Sequence, residues 1–217
     1  MDTLHIITPA PNNAWPSEHV RPAPTPAGSL WRWLERILLI AGLVLLGYYG
    51  YVSIETRLYQ AVENRELDAI LASAPRASAP RRLPPPLPGS TVGRIEIPRL
   101  GVSTVIRAGV DARTLKLAVG HIPGTALPGE SGNIGLAGHR DTFFRRLRDI
   151  DETDQIRLVT AAGTFTFQVT ETFIVQPTDT WVLHPTDAST LTLITCYPFT
   201  YIGSAPQRFI VRASQAR

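Results

Sequence analysis

Cysteine, lysine and methionine each occur once in 217 residues. A single cysteine, Cys196, excludes an internal disulfide framework and any cysteine-rich zinc or iron–sulfur site. Five histidines and dispersed acids add no metal cage, so neither a metal nor a cofactor is expected. Charge of one sign is also scarce: the 21 cations, all arginine except Lys116, face 18 acids, for a net charge of +3. No basic face stands out, and the high isoelectric point of 9.3 does not imply nucleic-acid binding. No internal repeat of roughly 20–50 residues is present, which removes solenoids and propellers. What the chain does have is 44% hydrophobic residues, enough for a core and too many for wholesale disorder. Its length suits one ordinary domain with appendages.

The hydrophobic content is unevenly placed. Met1 to Gly28 holds six prolines and little periodicity, and reads as a disordered leader. An uncharged run follows from Ile37 to Ile54, 18 residues and about 27 Å as a helix. Trp31 and Trp33 flank one end; Tyr48, Tyr49 and Tyr51 lie at the other, as an aromatic belt requires. A core helix would need something to pack against, and a cleaved signal peptide would need a shorter run and a small-residue cleavage site. The expected organisation is a cytoplasmic leader over 1–30, a single transmembrane anchor over 31–54, a juxtamembrane helix and Pro-rich spacer over 55–89, and an exported domain over 90–217. The positive-inside bias is slight, because Arg57 and Arg65 follow the span closely. A long C-terminal domain translocates largely regardless of charge, which favours a cytoplasmic N-terminus at the plasma membrane.

From Ser90 the pattern changes to short β-branched runs separated by turn signals. Strands are predicted at Val92–Ile97, Val102–Arg107, Asn133–Gly138, Gln155–Thr160, Thr164–Val175, Leu191–Thr195 and Arg208–Arg212, with a hairpin turn at Ala161-Ala162-Gly163. Short helices are predicted at Asp111–Val119 and Thr142–Asp149. This content is mainly β and suits a barrel or a sandwich.

Cys196 ends the apolar run Leu191-Thr192-Leu193-Ile194-Thr195. A lone cysteine is often just a small buried hydrophobe. Outside the cell, though, a free thiol is oxidised unless it has a use. As a nucleophile it needs a base or cation nearby, because an ordinary thiol is mostly protonated at neutral pH. His139 closes the run Asn133 to Gly138 where a strand gives way to a turn, and is the best partner. Arg208 opens the last strand, across a loop containing Pro198, Gly203 and Pro206. If the flanking strands pair antiparallel, Arg208 stands close to Cys196, and its guanidinium can hold a carbonyl or an oxyanion. Each of these three residues also has a bland reading, as a buried thiol, a structural turn histidine and an edge-strand cation.

The stretches Gly120-His121-Ile122-Pro123-Gly124-Thr125-Ala126-Leu127-Pro128-Gly129 and Leu136-Ala137-Gly138-His139-Arg140-Asp141 resemble a sortase. Thr192-Leu193-Ile194-Thr195-Cys196 matches the T-L-x-T-C signature of that family, and the order His, Cys, Arg agrees. The resemblance covers Ser90 to Arg212 and is greatest to the class D sortases. It implies a sortase-like eight-stranded β-barrel with one or two short helices, and a membrane-anchored cysteine transpeptidase. It further implies cleavage of an LPxTG-like sorting signal between Thr and Gly through a Cys thioester, with transfer to an amine. Implied partners are sorting-signal proteins and an amine acceptor, either a peptidoglycan precursor or a pilin lysine. By resemblance His139 is the acid/base, Cys196 the nucleophile and Arg208 the oxyanion or substrate clamp.

Thr195 and His121 are candidate substrate contacts, although strand propensity accounts for the first and a turn hydrogen bond for the second. Asp141 is either an orienting carboxylate or part of an Asx turn. Two other functions fit the same residues. A thiol endopeptidase would use Cys196 and His139 but only hydrolyse. An inactive exported binding module would bury Cys196 and leave it unreactive.

Overall fold

Alternation of buried and half-buried side chains organises the C-terminal part of the chain into eight strands. The computed structural model describes residues 27–73 and 85–216. The expected leader lies outside the described residues through position 26, and the expected spacer between 74 and 84.

The strands are β1 (Thr91–Ile97), β2 (Val102–Ala108), β3 (Val119–His121), β4 (Asn133–Ala137), β5 (Gln155–Thr160), β6 (Gly163–Val175), β7 (Thr190–Tyr197) and β8 (Gln207–Gln215). They close into a barrel in the order β1-β2-β3-β4-β7-β8-β6-β5. Closure pairs every strand on both sides over at least part of its length. Inward residues from all around the barrel, among them Ile95, Ile106, Leu136, Leu158, Phe167, Leu193 and Val211, form the main core. β5 and β6 are joined by Ala161-Ala162, with Gly163 at φ +133°, so the expected hairpin is present.

All seven predicted strands are found, with ends displaced by up to three residues. The eighth, β3, is a correction. The helix predicted over Asp111–Val119 stops earlier, at Ala112–Leu117 (α2), and Val119 turns into strand. Asp111 caps α2, accepting from the N–H groups of Arg113 and Thr114 at 3.0 Å and from the Thr114 hydroxyl at 2.6 Å. Those bonds, the Thr114 hydroxyl foremost, hold its carboxyl below the usual carboxylate range. α2 is the crossover that lets β2 and β3 run parallel. The second predicted helix, Thr142–Asp149, is a short 3-10 helix, Arg145–Asp149. Its i to i+3 bonds allow Phe144 and Leu147 to reach the core side by side.

A long helix, α1 (Ala27–Ser73), contains the predicted apolar run. The chain divides into two units, Met1–Tyr49 and Gly50–Arg217. In the first, the side chains from Leu30 to Tyr49 are almost all exposed, Leu38, Leu43 and Leu46 among them. Among the described residues this is the one helix long and apolar enough to cross a membrane. In the second unit, residues 50–69 of α1 lie against β1 and β2. Leu67 is buried. Gln60 donates to the carbonyl of Leu117 at 2.6 Å and accepts from the Val105 N–H at 3.0 Å and the Thr104 hydroxyl at 3.1 Å. Glu63 accepts from Thr91, and Arg94 pairs with Asp68 at 3.0 Å. There is a physical reason for this cover. β3 pairs only with Ile106 to Ala108, so the first half of β2 has no strand on that side, and Gln60 satisfies an otherwise open N–H.

Candidate active site

Strand parity decides what Cys196 can reach. Leu191, Leu193 and Thr195 are buried on the inner face of β7. Thr192, Ile194 and Cys196 therefore point outward. Across the neighbouring strands the outer-face rows align in register. Ala137, Ile194, Ile210 and Phe173 form one row across β4, β7, β8 and β6, and Cys196, Arg208 and Val175 form the next. The antiparallel pairing anticipated for Cys196 and Arg208 is thus observed directly.

His139 enters from the other side. β4 and β7 run parallel with Ala137 opposite Ile194. Two contacts carry that register past the end of the strand: the Gly138 N–H donates to the Ile194 carbonyl at 3.1 Å, and the Thr195 hydroxyl donates to the Gly138 carbonyl at 2.8 Å. His139 follows Gly138, and the same register extended by one residue falls on Cys196. The chain turns immediately afterwards, and the Phe144 N–H donates to the His139 carbonyl at 3.1 Å. Gly138 must be glycine, because a Cβ there would lie 2.8 Å from the buried Phe144 ring. His139 is exposed, while Cys196 and Arg208 are half-buried. Cys196 and Arg208 thus face each other across β7 and β8, and His139 stands two residues past the end of β4, which neighbours β7. Arg208 donates through Nη1 to the carbonyls of Gln207 at 2.9 Å and Ala205 at 3.2 Å.

The outer face is covered on one side of this row and open on the other. The β6–β7 connection folds back through the 3-10 helix Thr180–Leu183 and builds a second, smaller apolar cluster. Val175, Val182 and Ile210 are its centre, with Phe173, Leu183 and Ile194 against them. A polar network ties this connection down. Asn133 donates to the carbonyls of Val182 at 2.9 Å and His184 at 3.2 Å, and accepts from the Thr192 hydroxyl at 2.7 Å. Arg212 adds a bond to the Val182 carbonyl at 3.3 Å and lies over the rings of Phe173 and Trp181, which are stacked 5.6 Å apart. Gly135 completes the fit, since a Cβ there would come 2.8 Å from Leu183. The result is a half-buried apolar strip, Ala137, Ile194 and Leu183, beside the cluster and one row from Cys196.

The two candidate substrate contacts lie elsewhere. Thr195 is buried on the inner face, where its hydroxyl is spent on Gly138. His121 is buried at the end of β3, against the Gly/Pro-rich turn that follows. Its Nε2 donates to the Ala126 carbonyl at 2.8 Å, with the Thr125 hydroxyl oxygen at 3.2 Å. Burial pushes this imidazole below its ordinary value. It lines a cavity of about 400 Å³ with Pro85, Pro123, Leu127 and Glu130, to which His139, Cys196 and Arg208 do not contribute. Asp141 is exposed. Sequence reasoning passed over Asn133 and Arg212. The spacing of Arg212 four residues after Arg208 on one strand, hence on the same face, was the available signal. Among the described residues no group of His, Cys, Asp or Glu has metal-site geometry.

Known proteins similar to this chain share one family. A family model described as a sortase domain matches residues 95–216. The chain is 35% identical to Sortase D of Bacillus subtilis (strain 168) over 184 residues, covering 80% of this chain and 93% of that protein. It is similar in structure to a Clostridium perfringens Sortase D5 transpeptidase, with a TM-score of 0.61 and 30% identity, covering 72% of this chain and 99% of that one. Sortase A from Corynebacterium diphtheriae is also similar, at a TM-score of 0.56 and 31% identity, covering 59% of this chain and 62% of that one.

Proposed function

The chain belongs to the sortase family of cysteine transpeptidases, and from that premise we propose that it cleaves an LPxTG-like sorting signal between Thr and Gly and transfers the acyl group to an amine. The observation that carries this reading is the pairing of Cys196 with Arg208 across β7 and β8, with His139 two residues beyond the end of β4, the parallel neighbour of β7.

In this reading the extended signal lies along the strip of Ala137 and Ile194, with its apolar residues against Leu183. The Cys196 thiolate attacks the Thr carbonyl carbon. The tetrahedral oxyanion needs a donor aimed at it, and Arg208 supplies one; such a donor is worth roughly 3–4 kcal/mol. As the C–N bond to Gly breaks, the His139 imidazolium gives its proton to the departing amine. The thioester then holds the acyl group until a second amine attacks the same carbon. His139, now neutral, takes that amine's proton, and the thiolate leaves. Water in place of the amine gives hydrolysis.

One feature supports the cellular part of the reading. The exposed apolar helix suits an anchor over 31–54, behind a cytoplasmic leader over 1–30. The barrel over 90–217 then works outside the membrane, joined by residues 55–89. The substrates are secreted proteins bearing the signal, and the acceptor is a peptidoglycan precursor or a pilin lysine.

The test uses the full-length chain in detergent with a quenched Leu-Pro-x-Thr-Gly peptide and an added amine. The expected result is cleavage after Thr with an amine-ligated product. Cleavage with no ligated product under any amine would instead mean a thiol endopeptidase.

A further inference from the structure

The β7–β8 ladder sets Cys196 opposite Arg208, the connection between them supplies carbonyls that hold the Arg208 guanidinium, and one residue outside that connection holds it. Its root is packed: Phe199 sits 5.3 Å from Phe209 and 6.1 Å from Tyr197, ring to ring. Beyond that root, residues 200–206 have no regular structure, and Ile202 is 97% exposed. A segment of this kind has many accessible conformations unless its backbone is tied. Three of its carbonyls converge on the guanidinium of Arg140. Nη1 donates to Pro198 at 2.8 Å, and Nη2 donates to Tyr201 and to Gly203 at 3.1 Å. The guanidinium carbon also lies 5.9 Å from the Tyr201 ring centre. Arg208 ties the far end through Ala205 and Gln207. Arg140 directly follows His139. One side chain therefore joins the turn that carries the imidazole to the loop between the thiol and its guanidinium partner.

We propose that Arg140 is a positioning residue for acyl transfer, fixing the β7–β8 loop so that His139, Cys196 and Arg208 keep one mutual geometry while the thioester waits for its amine. This rests on the transpeptidase reading above. Only a planar fork with several donors in fixed directions can serve three carbonyls this way; a lysine ammonium carries the charge without the fork. The strip that receives the sorting signal, Ala137, Ile194 and Leu183, and the Asn133 and Val182 that support it do not bond Arg140. Loss of Arg140 should therefore spare signal binding and disturb the chemistry, where a displacement of about 1 Å is enough to cost large factors in rate.

The experiment compares full-length wild type, Arg140→Ala and Arg140→Lys in detergent. Each is titrated for the fraction of Cys196 that a sorting peptide acylates. Three quantities are then read per acylatable site: kcat, KM for the peptide, and the ratio of amine-ligated to hydrolysed product. Arg140→Ala should lower kcat about tenfold and reduce the ligation ratio several-fold, with KM within about twofold of wild type. Arg140→Lys should resemble Arg140→Ala. It carries the test alone if the alanine variant does not fold. A smaller acylatable fraction with an unchanged ligation ratio and kcat per site would show a purely structural role and overturn the proposal. Wild-type values in all three quantities would overturn it too. Failure of wild type itself to acylate Cys196 would overturn the transpeptidase reading, and this proposal with it.

Discussion

The two faces of β7 differ in a way that separates folding from chemistry. On the inner face, Leu191 and Leu193 are wholly buried and Thr195 nearly so. They meet Val211 and Ala213 of β8 in the main core. On the outer face, burial fades along the strand. Thr192 is buried beneath the β6–β7 connection, and Ile194 and Cys196 are half-exposed. The inner face is uniform because every residue there has the same task of excluding water. The outer face is graded because one end is roofed and the other has to admit a peptide. In the proposed reading, stability and reactivity fall to alternate residues of a single strand.

The comparison can be broken most severely at the open end of the outer face. Cys196→Ala should abolish turnover, and His139→Ala and Arg208→Ala should each lower kcat/KM by about 10²–10⁴. Thermal unfolding should show all three still folded. The inner face should behave in the opposite way. Leu193→Ala leaves a cavity and should cost about 2–5 kcal/mol of stability, read by denaturant titration, with turnover per folded molecule preserved. At the roofed end the two effects should mix. Asn133→Ala strands the Val182 and His184 carbonyls and the Thr192 hydroxyl, at about 1–3 kcal/mol. It should also loosen the groove wall, so KM for the sorting peptide should rise more than kcat falls.

The smallest effect concerns pH and lies away from this strand. His121 is buried with its imidazole held below the ordinary value near 6.5, so the folded state favours the neutral ring. As pH falls through about 6.5 the unfolded chain takes up a proton that the folded chain resists, and stability declines. Replacement by glutamine should flatten the slope of unfolding free energy between about pH 5 and 7. An unchanged slope would assign the decline to other groups.

Much of this was legible before any coordinates. β-branched runs between turn residues marked seven strands, because half-buried strands must alternate. β3 was not marked, since Val119-Gly120-His121 is too short to show a period and lies between a helix and a Gly/Pro turn. Its burial comes from its neighbours. Barrel order was hidden for the same reason. The parallel pairing of β4 with β7 depends on contacts far apart in sequence. The packing of α1 on the barrel was likewise invisible. Leu67 and Gln60 matter only because β3 leaves half of β2 uncovered. In the candidate site, the residues that carry reactive groups were legible by type and position. Those that act through backbone carbonyls, Asn133 and Arg140, were not, because a carbonyl acceptor leaves no mark on the sequence.

The most direct test of the division between the faces of β7 is the mass of the chain after brief exposure of the full-length protein to a sorting peptide. The account predicts one added acyl group, located by fragmentation on Cys196 and absent from Cys196→Ala. An unmodified Cys196 in a protein that still turns over peptide would contradict it.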